Sequence, residues 1–216
     1  MKTKIPFDNS FVNLKDGFYS MQAPEPAPAP ELVAYNEALG AELGINKGSN
    51  EDLAAIFGGA DVPDGAEPLA QLYAGHQFGN YNPQLGDGRA LLLGEVIDRQ
   101  GQRKDIQLKG SGRTPYSRGG DGRSPLGPVI REYLLSEAMH CLGVPSTRAL
   151  AALATGDSVF REHGPLPGGI LCRVASSHLR VGTVQFVAAQ RDPELLQQLM
   201  DYVIDRHYPE CKQSES

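Results

Sequence analysis

An α+β fold follows from three features of this sequence: two strand-like runs joined by a short turn, a long amphipathic segment after them, and a second strand pair ahead of a final helix. The resulting strand-strand-helix-strand-strand order differs from a doubly wound sheet, in which strands and helices alternate. A chain of 216 residues, 40% of them hydrophobic, carries enough apolar material to bury a core. Neither an internal repeat nor a heptad array interrupts this reading.

The elements follow in order. Residues 23–30, Ala-Pro-Glu-Pro-Ala-Pro-Ala-Pro, cannot propagate a helix, because proline lacks an N–H donor and restricts the residue before it. The segment is expected to be extended, as a strap packed over the domain, since apolar residues lie on both sides of it. Leu32-Val-Ala-Tyr-Asn-Glu-Ala-Leu-Gly-Ala-Glu-Leu reads as a helix ending near Gly44, and residues 50–57 as a short helix between an Asn50 cap and Gly58. Arg89-Ala-Leu-Leu-Leu-Gly-Glu-Val-Ile-Asp and Lys104-Asp-Ile-Gln-Leu-Lys are strands joined as a hairpin through residues 99–103. The first is almost continuously apolar, as in a sheet covered on both faces. The run from Pro128 to Leu142 is a helix with Ile130, Tyr133, Leu134, Ala138 and Cys141 on its apolar face, stopped by Gly143 and Pro145. Strands are expected across 146–160 and 169–174. Asp192-Pro-Glu opens a last helix to about Tyr208 with a cap, a first-turn proline and an early acid.

With 20 Lys and Arg against 26 Asp and Glu, the formal charge of −6 rules out a broadly basic surface, so an anion site needs a few placed cations. Nucleic-acid binding is accordingly not expected. Three widely spaced cysteines form no C-x-x-C pair and no disulfide framework, and no apolar run reaches the length of a membrane span. Together with an N-terminus lacking an apolar signal core, this gives the expectation of a reduced, cytoplasmic protein with no membrane partner.

The densest chemical signal is glycine used together with arginine: Gly86-Asp-Gly-Arg89, Lys109-Gly-Ser-Gly-Arg113 and Arg118-Gly-Gly-Asp-Gly-Arg123. Glycine lets backbone N–H groups approach an anion, and arginine presents a fixed fork of donors to phosphate oxygens. Any one of these loops alone reads as an ordinary turn; three close together point to phosphate. Neither a Walker A loop nor a G-x-G-x-x-G turn between strand and helix is present. The parts suit a kinase-like lobe, in which a glycine-rich turn covers the nucleotide, a strand lysine touches phosphate and a helix glutamate holds that lysine. Here these are Gly86 to Arg89, Lys109 and Glu132, with Glu137 as a competitor to Glu132 farther along the helix. His76, His140 and His178 lack metal-ligand spacing and are read as structural, and Ser111 and Ser117 as loop caps rather than nucleophiles.

Seven segments in order resemble the motifs of the selenoprotein O (SelO) family: Leu72-Tyr-Ala-Gly-His-Gln-Phe-Gly, Gln84-Leu-Gly-Asp-Gly-Arg-Ala, Leu108-Lys-Gly-Ser-Gly-Arg-Thr-Pro-Tyr-Ser-Arg, Gly120-Asp-Gly-Arg, Ile130-Arg-Glu, Ser136-Glu-Ala-Met-His and Arg173-Val-Ala-Ser-Ser-His-Leu-Arg. The resemblance implies a protein-kinase-like (pseudokinase) amino-terminal lobe that binds ATP in a turned-around pose and transfers AMP to Ser, Thr or Tyr of protein substrates. It implies that Gly86, Gly88 and Arg89 form the nucleotide loop, that Lys109 binds phosphate with Glu132 as partner, that Asp121 and Gly122 form a second nucleotide loop, and that Arg173 and Arg180 hold the far phosphates. By the same resemblance, residues 1–67 are an N-terminal extension, 68–180 the nucleotide-binding lobe and 181–216 the start of a helical second lobe. The family's catalytic Asp and its ligands for Mg2+ or Mn2+ have no counterpart after Arg180, where Asp192, Asp201 and Asp205 share one helix. The chain alone is therefore expected to be a fragment with negligible transfer activity and an exposed apolar face prone to association. Phosphoryl transfer and a non-catalytic nucleotide-binding module are the alternative readings.

Overall fold

The computed structural model describes residues 2–15 and 17–211. In chain order its elements begin with a 3-10 turn at Phe11–Asn13, β1 (Tyr19–Met21), β2 (Glu31–Tyr35), α1 (Glu37–Glu42), α2 (Asn50–Phe57), β3 (Leu69–Gln71) and the small hairpin of β4 (Gly75–Gln77) and β5 (Asn80–Asn82). They continue with β6 (Ala90–Ile97), β7 (Arg103–Lys109), β8 (Ser124–Pro125), α3 (Leu126–Cys141), β9 (Arg148–Arg161), β10 (Gly164–Ala175), α4 (Val181–Ala189) and α5 (Pro193–His207). The fold is α+β: an antiparallel sheet in the order β1-β3-β6-β7-β10-β9-β2, with β8 added beside β10, carries helices on both faces.

Strand β7 divides those faces by simple alternation. Its Ile106 and Leu108 pack with Leu39, Leu53 and Phe57 of α1 and α2. Gln107 and Lys109 stand on the opposite face, paired in register with Arg173 and Leu171 of β10 and with Leu92 and Ala90 of β6. That second face is flanked on one side by α3, whose Val129 packs on Ala149, Ala152 and Leu171. On the other side, Val187 of α4 and Leu199 of α5 pack with Phe11, Leu14, Phe18, Leu69 and Leu92. The polar middle of the face is left open between these helices.

The proline-rich segment runs across the sheet edge as a strap. The backbone N–H groups of Glu25, Ala27 and Ala29 donate to Ser111, Gly58 and Thr155 carbonyls at 2.8, 2.8 and 3.0 Å, so the strap ties together the loop after β7, the end of α2 and β9.

Three local expectations are corrected. Leu32 to Tyr35 is an edge strand rather than the first turn of a helix: β-branched Val33 and aromatic Tyr35 pair along β9, and the helix begins only after Asn36, whose side chain accepts from Leu39 N. Ser49, not Asn50, caps α2 by accepting from Asp52 N. Of the apolar face assigned to α3, Tyr133 packs on the sheet but the rest points outward, with Ile130 37% and Leu134 61% exposed, while Val129 and Ser136 are the helix's buried positions. Hydrophobic periodicity located the helix but not the side that the sheet covers. The β4–β5 hairpin, β1 and β3 are too short to carry a periodic signal, and α4 is apolar nearly all round, so none of them is anticipated.

Candidate functional site

The three glycine and arginine loops meet at one open cavity of about 500 Å3 on the polar face of β7. Gly86, Gly88, Arg89, Lys109, Asp121, Gly122, Arg173 and Arg180 all line it, although they span almost a hundred residues of sequence. Its walls present Arg89, Lys109, Arg118, Arg123, Arg161, Arg173 and Arg180 against only Asp87 and Asp121. In a protein of net negative charge, this local excess is the placed set of cations that an anion site requires.

Several of these cations are held by neighbouring side chains. Lys109 Nζ donates to Glu132 Oε2 of α3, and Arg173 Nη1 reaches Glu132 Oε1 at 3.4 Å, so one carboxylate serves both. Burial pulls Lys109 below the usual ammonium range and Arg173 and Arg89 add to this, while Glu132 opposes them. Arg173 is likewise pulled down by burial, offset by Glu132 and Asp87. Among the described residues its buried Nε has no hydrogen-bond partner. Arg180 precedes α4 and stacks its guanidinium 4.8 Å over the Tyr73 ring. Helix α4 comes this close to Tyr73 because of Gly182, where an added Cβ would lie 1.7 Å from the Ala74 carbonyl oxygen.

The third loop is shaped by Gly122, whose φ is +68° and whose Cβ would stand 2.0 Å from the Gly112 carbonyl oxygen, so no side chain fits. Arg161 of β9 grips Asp121 at 2.6 Å, and this bond holds the carboxyl below the usual carboxylate range. Arg123 reaches Glu25 of the strap at 3.1 Å, pinning the same loop from the other side.

Glu137 does not compete for Lys109. Burial would raise its carboxyl, but Arg148 and the Ala149 N–H outweigh that and hold it low, locking α3 to β9. Ser117 acts as a loop cap, accepting from Thr114 N at 2.8 Å and donating to the Gly88 carbonyl at 2.6 Å. Ser111 is fully buried beneath the strap. His178 is buried against Asp105, whereas His76 and His140 are exposed.

Sequence reasoning missed Tyr73, Asp87, Gln107 and Arg161. A signal existed for two of them. Asp87 sits between two glycines, and Gln107 is a polar residue two positions before Lys109, hence on the same face. Arg161 and Tyr73 reach the cavity only through long-range pairing.

The same residues do not suit a bare divalent cation. Among those described, no three His, Cys, Asp or Glu side chains gather. The acids in and beside the cavity are committed, Asp87 to Tyr73 and Gln107, Asp121 to Arg161, and Glu132, behind the wall, to Lys109. What the arrangement presents is a cluster of partly buried cations suited to an anion.

Comparison with known proteins identifies the chain's family. The profile of a family described as Protein adenylyltransferase SelO matches residues 2–216. Proteins named Protein nucleotidyltransferase YdiU are similar throughout: that of Ruegeria sp. strain TM1040 is 63% identical over 98% of this chain and 45% of its own length. That of Ruegeria pomeroyi is 63% identical with the same coverage, and that of Rhizobium johnstonii is 59% identical over 98% of this chain and 42% of its own length. The chain thus spans a little under half the length of these relatives. With the match running from residue 2 to residue 216, the chain belongs to the SelO family.

Proposed function

We propose that the cavity binds ATP through its phosphates as part of a kinase-like lobe, and that the activity it serves is transfer of AMP to a hydroxyl group of a protein. The observation that carries this reading is the convergence of Lys109, Arg173 and Arg180 on one cavity with a shared carboxylate behind two of them. The names of the matching family and relatives, an adenylyltransferase and nucleotidyltransferases acting on protein, agree with it.

In such a transfer the acceptor oxygen attacks the α-phosphorus, the bond from that phosphorus to the bridging oxygen breaks, and the hydroxyl proton is released. Negative charge then grows on the departing pyrophosphate. Lys109, Arg173 and Arg180 are fixed before reaction, so their donors meet that charge with little reorganisation. Arginine forks are better matched than lysine to two oxygens at once. The glycines at 86, 88 and 122 leave room for the phosphates to approach the backbone. The carboxylates in and beside the cavity already accept from Tyr73, Arg161 or Lys109. This chain's residues therefore bind and stabilise, and proton removal is not assigned to them.

Incubating this chain and, in parallel, the Ruegeria pomeroyi relative with an acceptor protein and ATP labelled at either the α- or the γ-phosphate tests the reading. Label arriving only from the α position is the expected result for the relative. Label arriving only from the γ position would make the activity phosphoryl transfer. ATP binding with neither transfer would leave a nucleotide-binding module.

A further inference from the structure

Asp87 lies inside the nucleotide loop, between two glycines that line the cavity, yet its own side chain faces away from solvent and is 2% exposed. Its Oδ1 accepts from the Tyr73 hydroxyl at 3.0 Å, and its Oδ2 accepts from Gln107 Nε2 at 3.2 Å and from Gln71 N at 3.3 Å. Its backbone is held as firmly, since Asp87 N donates to the Gln71 carbonyl at 2.9 Å and Thr114 Oγ1 donates to the Asp87 carbonyl at 2.7 Å.

The two side chains bonded to Asp87 each lead to an arginine. Gln107, fully buried, donates from Nε2 to Asp87 and accepts at Oε1 from Arg173 Nη2, so its amide orientation is set by the carboxylate. Tyr73 gives its hydroxyl to Asp87 and its ring face to Arg180. A buried carboxylate is expensive unless its lone pairs are filled, and here the filling groups are the two that aim the clamp. Burial drives the Asp87 carboxyl above the usual carboxylate range, against the opposing pull of His178 and the Tyr73 bond.

We infer that Asp87 is a positioning residue that fixes both arginines of the phosphate clamp, Arg173 through Gln107 and Arg180 through Tyr73, without touching the nucleotide itself. This rests on the reading of the cavity as an ATP site. It explains why an acid occupies the centre of a loop that receives an anion: its charge is turned inward and spent on orienting cations.

The test combines two measurements on the 216-residue chain and its Asp87→Asn variant. Asparagine keeps the shape but presents one donor and one acceptor to three donors. Side-chain NMR of the guanidinium groups, without nucleotide, is expected to find Arg173 and Arg180 restrained in the parent and released in Asp87→Asn. Titration with ATP and with AMP is expected to find ATP affinity lowered by about tenfold or more in the variant while AMP affinity stays within about twofold. Should Asp87→Asn fail to fold, Tyr73→Phe, which removes one hydroxyl, is expected to release Arg180 alone and to lower ATP affinity less. Unchanged guanidinium signals, or equal losses of ATP and AMP affinity, would overturn the positioning role. A parent chain that binds no ATP while its arginines are still released by Asp87→Asn would remove the functional reading and leave the positioning intact.

Discussion

The two ends of one strand face show how the same residue types serve opposite purposes. At one end of β7, Asp105 and its cross-strand partner Glu95 are each 1% exposed and share the guanidinium of Arg206 from α5. The remaining lone pairs there are filled by His178 N at 2.7 Å, Ser10 Oγ at 2.9 Å and Phe11 N at 2.7 Å. At the other end, four residues on, Lys109 belongs to a cluster in which cations outnumber acids and the cavity opens to solvent. Charge that is enclosed and fully hydrogen-bonded joins the N-terminal segment, the sheet and α5. Charge left in excess and accessible is available to a ligand. Substitutions at the first end should therefore act on stability, and those at the second on binding.

The largest expected loss of stability is from Arg206→Ala, which strands two buried carboxylates and should cost about 3–5 kcal/mol in urea denaturation. Gly182→Ala is expected next, at about 3 kcal/mol, because its Cβ would collide with the Ala74 carbonyl; it should also weaken ATP binding by displacing Arg180 from Tyr73. In contrast, Lys109→Ala should alter stability by no more than about 1 kcal/mol, since it relieves repulsion among neighbouring cations while giving up one partly buried ion pair.

Acid should separate the two ends as well. Burial would raise Asp105, but the bonds from His178 and the charge of Arg206 outweigh it and hold its folded pKa below the ordinary value. Its contribution is therefore present above about pH 4 and lost as pH falls through the folded value. Asp87, raised by burial, has the opposite sign and favours the folded state as pH falls. Denaturation followed across this range should find the stability gap between the parent and Asp87→Asn widening as pH falls. A constant gap would contradict the assignment of the raised carboxyl to Asp87. The smallest effect is expected on the outer face of α3: Leu134→Gln should change stability by less than about 0.5 kcal/mol, because that side chain is 61% exposed.

Much of the binding end could be read from local pattern, and almost none of the enclosed end could. Lys109 closes an alternating strand, and Glu132 lies on the helix that follows, so their pairing was accessible from residue types and spacing. The glycine loops announced themselves by composition. Arg206, by contrast, lies 101 residues from Asp105 and 111 from Glu95, on a helix whose sequence reads as a plain amphipathic segment. Only the packing of α5 on the sheet makes it the counter-ion. The edge strand β2 was misread for the same reason: Leu32 to Tyr35 has no fixed preference until β9 offers it a partner. Short helix α4, apolar on almost every side, gave no period to detect.

Titration calorimetry with ATP on the parent chain, Lys109→Ala and Arg180→Ala tests the central claim most directly. Saturable binding by the parent, weakened by about tenfold or more in each variant at unchanged folded stability, is the predicted result, since each removes a charge-assisted contact to phosphate. Binding of equal strength in all three proteins, or no binding by the folded parent, would contradict the assignment of this cavity as a phosphate clamp.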